Sequence, residues 1–290
     1  MTIPFLTTVI GSMPKPAWLY EQVAFNAKDQ DHHGSGADWG FAGELLRQAQ
    51  DDAVRATIQS QERLGIDIIS DGEQRRKSYL TYITMHLAGF DYDTLAEKWI
   101  RDGRRRAQVG RCVGPVHRRE PILRADLHFL LDEARSQVKI TLPGPMTVVD
   151  STFDAYYGDE RTLALAVAAA LNDEARELDK LGPAVIQFDE PVFSRYPEKV
   201  SAWGIEALDR CLEGLQAQTA VHICYSYPSP DLPRPIKPSY PTILQALEGS
   251  HVDQLALEFA APQLDPALLR HCPSKTVLFG CIDNGTAEVE

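Results

Sequence analysis

No stretch of the 290-residue chain approaches the roughly 20 consecutive apolar residues that a helix needs to cross a bilayer, which excludes a bundle of membrane-spanning helices. Basic residues are also in short supply. With 29 Lys and Arg against 41 Asp and Glu, the formal net charge is −12, and a surface of that sign is repelled by the phosphates of nucleic acid and by anionic lipid. Neither nucleic acid nor membrane is therefore expected as a partner. The start MTIPFLTTVIGSMPKP lacks a basic leader followed by a long apolar segment, which predicts a cytoplasmic protein. The five cysteines, Cys112, Cys211, Cys224, Cys272 and Cys281, are odd in number and, without an export signal, do not make a disulfide framework. A special cysteine is then a ligand or a nucleophile. Low-complexity tracts and short-period repeats are missing too.

What is present is a 44% apolar chain, long enough to bury a large core as one domain. Short β-branched runs alternate with longer amphipathic stretches. Strands are predicted at Phe5–Gly11, Asp67–Ser70, Gln137–Leu142, Ala184–Phe188, Thr219–Cys224, Gln254–Phe259 and Thr276–Ile282. Helices are predicted at Gly43–Leu64, Ser78–His86, Arg161–Leu181, Gly204–Ala217, Thr242–Gly249 and Pro266–Cys272. Nearly continuous apolar strands separated by helices suit a parallel sheet covered on both faces. The fold class is therefore α/β. The reading is a (β/α)8 TIM barrel over residues 1–290, a single catalytic domain lacking its last βα unit and so C-terminally incomplete; a doubly wound open sheet is the alternative. Residues 99–123 break the rhythm with Arg, Gly, Val and Pro and read as a hairpin excursion. The basic cluster there, Arg101 to Arg106 with Arg111, Arg118 and Arg119, is either a solvated arm or a clamp for a polyanionic substrate tail. The Pro-rich stretch Tyr227–Pro241 reads as a long βα loop.

In parallel barrels the chemistry lies at the carboxyl ends of the strands, and here those ends are polar: Ile10-Gly11-Ser12, Asp71-Gly72-Glu73, Asp189-Glu190-Pro191, His222-Ile223-Cys224, Glu258 and Asp283. His222 and Cys224 are two apart on one strand, so both side chains face the same side. Imidazole and thiolate are favoured zinc ligands, and Glu258 on the next strand can be a third while leaving a position open to substrate. An H-x-C pair by itself is more often core packing; position raises it above that. Asp189 and Glu190 must face opposite sides, so at least one carboxylate turns to the mouth, while the bland alternative is that either caps the next helix or pairs with Arg195. Gly11-Ser12 offers a backbone that a carboxylate can approach closely.

These blocks resemble the catalytic domain of cobalamin-independent methionine synthase and its shorter relatives in the uroporphyrinogen-decarboxylase/methionine-synthase-like group. The resemblance rests on Thr7 to Ser12, Asp71 to Arg76, Thr141 to Thr147, Ile186 to Pro191, His222 to Tyr225 and the Glu258 strand, in the same order as in that family, and it covers almost the whole chain. It implies a Zn2+ site at His222, Cys224 and Glu258, and an amino-acid pocket at Ile10, Gly11, Ser12, Glu73 and Asp189 for homocysteine. The family's last zinc cysteine has no direct counterpart here; Cys281 on the seventh strand is the candidate substitute, although strand direction is expected to point it elsewhere. Ser151, Gly285 and Arg195 stand where folate-using members carry a tryptophan, a histidine and a glutamate, so the methyl donor is left open between a methyl-folate and a methyl-corrinoid, the latter with a corrinoid protein as partner.

The implied activity is methyl transfer to homocysteine, giving methionine. A free thiol with a pKa near about 8.5 is mostly protonated at neutral pH, whereas zinc strips its proton. Asp189 and Glu73 are the candidate catalytic residues that fix the substrate ammonium. Three other readings compete: thiol alkylation of the epoxyalkane:coenzyme M type, metal-free lyase, decarboxylase or glycosidase chemistry on Glu73, Asp189 and Glu190, and a barrel that only binds a small ligand. Oligomeric state is not readable from the chain.

Overall fold

Strands covered on both faces need apolar side chains in both directions, and the central sheet is made of such runs. The computed structural model describes residues 5–22, 37–100, 103, 105–224 and 239–283. In chain order the strands are β1 (Tyr20–Gln22), β2 (Ala37–Trp39), β3 (Ile68–Ile69), β4 (Leu87–Ile100), β5 (Arg105–Arg118), β6 (Gln137–Pro143), β7 (Thr152–Asp154), β8 (Val185–Asp189), β9 (Gln218–Ile223), β10 (Gln254–Glu258) and β11 (Thr276–Gly280). The α-helices are α1 (Gly43–Arg63), α2 (Thr81–Thr84), α3 (Arg124–Glu133), α4 (Pro145–Asp150), α5 (Glu160–Asp179), α6 (Pro197–Lys199), α7 (Ile205–Leu212) and α8 (Tyr240–Glu248).

The sheet runs β3-β6-β8-β9-β10-β11, every pair parallel, curled as a half-barrel. Its order follows the chain without reversal, which excludes the doubly wound alternative, since that topology reverses at a switch point. Helices pack on the outer side. In α5 the Asp159 side chain caps the first turn by accepting from the Thr162 N–H, and Leu163, Val167, Leu171, Ala175 and Leu178 form a buried stripe at helical spacing. Each fully buried Leu or Val contributes roughly 1.5–3 kcal/mol, and these residues join one contiguous core with β6, β8, β9 and β10.

Several expectations are corrected. Phe5–Gly11 is not a strand: only Thr8 bridges Ile68 in parallel, while Phe5 and Leu6 are exposed and bury nothing. Thr7 is held by Asp67, whose carboxylate accepts from its N–H at 2.7 Å and its hydroxyl at 2.8 Å. The Ser78–His86 helix shrinks to Thr81–Thr84, and Pro266–His271 is 3-10 rather than α. The excursion is a hairpin, but it starts at Leu87 rather than Trp99, and β4 pairs antiparallel with β5. Register shifts after Ala88 and Asp91 interrupt the alternation that would have marked β4 in the sequence. Three of the hairpin arginines are paired: Arg106 with Glu97, Arg111 with Asp91 at 3.6 Å, Arg118 with Glu174 at 2.5 Å. This favours the structural reading of the basic cluster. Arg101 and Arg104 lie outside the described residues, as do Tyr225, residues 227–238 of the Pro-rich loop, and Gly285.

Candidate metal centre and substrate pocket

Register sets the site. Asp189 on β8 is paired with His222 on β9, and His222 with Ala256 on β10. Two residues further along each chain come Cys224 and Glu258, which therefore sit on the same inward face one level nearer the mouth. The ligand atoms of His222, Cys224 and Glu258 all lie within 4.8 Å of one another, and all three residues are half-buried. Zinc bonds of about 2.0–2.3 Å at tetrahedral angles set donor atoms roughly 3.3–3.8 Å apart, so this imidazole, thiol and carboxylate lie close enough to close on the ion. Cys281 is exposed and outside the group.

Behind the three donors lies a polar chain. The His222 Nδ1–H faces Asp189 Oδ1 at 3.0 Å, which leaves Nε2 as the ligand nitrogen and gives the carboxylate–imidazole support that metal-binding histidines ordinarily have. Asp189 Oδ1 also accepts from Gln187 Nε2 at 2.8 Å. The same amide nitrogen donates to the Ile10 carbonyl at 2.9 Å, and Gln187 Oε1 accepts from Lys139 Nζ at 2.9 Å. Lys139 is 1% exposed, and burial pushes its ammonium down to about 8 against the pull of Asp189.

Beside this chain the remaining predicted residues converge. Ser12 donates to Glu73, and Thr141 Oγ1 donates to the other Glu73 oxygen at 2.7 Å. Arg76 in turn holds Thr141, its Nη1 donating to the carbonyl at 2.9 Å and to the hydroxyl at 3.1 Å. Gly11 is packed against this pair: a Cβ there would meet Thr141 Cγ2 at 3.0 Å. Glu73 itself has φ of +55°, following Gly72 at +63°. A non-glycine residue held left-handed costs about 1–3 kcal/mol and persists where its surroundings dictate it. Ile10, Gly11, Ser12, Glu73 and Asp189 are thus brought to one rim.

Glu190 goes the other way. It is wholly buried and accepts from the Met146 and Thr147 N–H groups at 2.8 and 2.9 Å and from the Thr147 hydroxyl at 2.7 Å. It caps the preceding helix, α4, rather than the next one. Burial pushes its carboxyl up to about 8 against these donors. Gly144 makes room, since a Cβ would sit 2.2 Å from the Glu190 Cδ. A carboxylate so committed faces no substrate. Lys139 and Gln187 were missed in the sequence; the available signal was a polar residue at every second position of otherwise apolar strands.

Residues 5–290 match the family model described as the cobalamin-independent synthase, catalytic domain. The chain belongs to this family. Its curated relatives include the methionine synthases of Thermococcus kodakarensis, 30% identical over 100% of this chain and 80% of that protein, and of Saccharolobus solfataricus, 33% identical over 77% of this chain and 64% of that protein. The chain therefore spans less than two thirds of the second and about four fifths of the first. Among solved structures, a B12-independent methionine synthase from Shewanella sp. W3-18-1 in complex with selenomethionine is 36% identical, covers 98% of this chain and 82% of its own, and superposes with a TM-score of 0.87. A Listeria monocytogenes protein, a putative vitamin-B12 independent methionine synthase by its description, is 18% identical at a TM-score of 0.64 over 86% of this chain and 74% of its own, a likeness of fold alone. Among the described residues no helix is long and apolar enough to cross a membrane.

Proposed function

We propose that this member of the cobalamin-independent synthase family is a zinc-dependent methyltransferase that converts homocysteine to methionine. The observation that carries the reading is the convergence of an imidazole, a thiol and a carboxylate within 4.8 Å, with Asp189 behind the imidazole. The (β/α)8 barrel, as one catalytic domain, is part of the same reading. A zinc ion held by His222, Cys224 and Glu258 supplies Lewis acidity that keeps a substrate thiol deprotonated. The other steps fall to the chain's own groups. Glu73 and Asp189 take the substrate ammonium as carboxylate acceptors, and the Gly11 and Ser12 backbone takes its carboxylate. Selenomethionine, in the complex of the Shewanella relative, has the shape of the product with selenium for sulfur, which supports a pocket for this amino acid. The methyl comes from a folate or a corrinoid, the latter presented by a corrinoid protein, and the two are separated by assaying each donor.

The metal-free carboxylate reading is disfavoured by Glu190, which is spent on α4. The deciding measurement is zinc per chain by plasma mass spectrometry. Near-stoichiometric zinc in the wild type, lost in His222→Ala and Cys224→Ala together with turnover, is expected. Turnover in a zinc-free Cys224→Ala protein would falsify the proposal.

A further inference from the structure

Gln187 sits between two groups of opposite hydrogen-bonding character, and this fixes its amide orientation by chemistry alone. The Lys139 ammonium has only donors, so the group facing it at 2.9 Å must be Oε1. The Asp189 carboxylate and the Ile10 carbonyl have only acceptors, so the group facing them at 2.8 and 2.9 Å must be Nε2. All three contacts agree on one rotamer and one flip state. Gln187 is 0% and Lys139 1% exposed, so water does not reach in to replace any partner.

We propose that Lys139 and Gln187 form a buried positioning relay that presets the substrate pocket for the reaction inferred above, on which this inference rests. Lys139 locks the amide; the locked amide ties the Ile10 backbone to Asp189 Oδ1. That oxygen is also the acceptor for the His222 Nδ1–H, so one side chain holds the segment that receives the substrate carboxylate, the acid that receives its ammonium, and the imidazole that holds the metal. The remaining Asp189 oxygen, Oδ2, takes no hydrogen bond among those found for the described residues and is left for the ammonium. Neither Lys139 nor Gln187 touches substrate or metal; both act through Asp189 and Ile10.

An ammonium placed 2.9 Å from a neutral amide, with a carboxylate only beyond it, is a costly way to fill a barrel interior. A hydrocarbon of similar length fills the same space. If the role were only to plug the barrel, Lys139→Met would leave ligand binding unchanged. In the relay, Lys139→Met leaves the buried Oε1 without its donor, so the amide loses the contact that holds it against Asp189 and the Ile10 carbonyl and shifts away from them. Gln187→Glu keeps a partner for Lys139 but permanently aims an acceptor at those two oxygens.

The test titrates homocysteine calorimetrically into the zinc-loaded wild type, Lys139→Met and Gln187→Glu, with zinc content, Tm and the visible spectrum of the Co2+-substituted proteins measured alongside. Lys139→Met is expected to retain stoichiometric zinc and a Tm no lower than the wild type, while its Kd for homocysteine rises roughly 10–100-fold and its cobalt bands shift. Gln187→Glu should lose more affinity, and because it retains a salt-bridge partner for Lys139 it tests the relay even where Lys139→Met does not fold. Wild-type Kd and an unshifted cobalt spectrum in Gln187→Glu overturn the relay. A wild type that binds neither zinc nor homocysteine overturns the functional reading first, and the relay with it.

Discussion

Lys139 ties one residue's ionisation to the stability of the chain. Its ammonium is pushed from 10.5 down to about 8 by burial, with Asp189 the charged group that opposes the shift. Between those two values the unfolded chain binds more protons than the folded one, so stability rises as pH climbs from 8 to 10.5 and is lost as it falls through 8. Below pH 8 the charge is buried at full cost. Lys139→Met, which carries no charge, should therefore be more stable than the wild type at pH 7, by an upper bound of about 3 kcal/mol. Urea unfolding at a series of pH values should show that gap closing toward pH 10.5, and a gap that stays constant with pH would reject the buried ammonium. At this scale the candidate metal residues were legible from sequence because they obey simple spacing: His222 and Cys224 at i and i+2, Glu258 one βα unit on. Lys139 and Gln187 were not, because a polar residue inside an apolar strand gives no sign of which partner satisfies it.

Elements are joined by a few buried polar contacts more than their sequences suggest. Glu174, on the inner side of α5 and wholly buried, accepts from Arg118 Nε at 2.5 Å at the end of β5 and from the Ile122 and Leu123 N–H groups at 3.1 and 2.7 Å just before α3. One carboxylate thus ties the hairpin's return strand and the start of a helix to the sheet's outer layer. Glu174→Ala should cost about 3–5 kcal/mol, because it leaves a buried guanidinium and two amides without their acceptor. Glu174→Gln, which keeps one acceptor oxygen, should cost less. Differential scanning calorimetry of the two variants checks this, and an Ala variant as stable as the wild type would show the contact to be incidental. Helix α5 was readable from its amphipathic run, as were the strands β6, β8, β9 and β10. The first predicted strand was not real, since Phe5 and Leu6 find no partner surface to bury against.

At the level of the whole molecule, metal and fold should be coupled. The three donors come from two neighbouring strands of the half-barrel, so an ion that bridges them binds the folded chain better than the unfolded one. Free zinc at about a hundred times its Kd should add about 2.7 kcal/mol to stability. Thermal unfolding with zinc and with chelator measures it, and His222→Ala should show no difference between the two. The sequence by itself determined the α/β class, the alternation of strands and helices and the candidate ligand triad, because period and spacing are local properties of the chain. Only the tertiary structure decided which carboxylate faces the site. Asp189 and Glu190 are neighbours that the sequence treats alike; strand pairing turns one to His222, while the space left by Gly144 lets the other reach α4. The direction of a side chain depends on what packs against it from residues far away in the chain, and no local pattern carries that information.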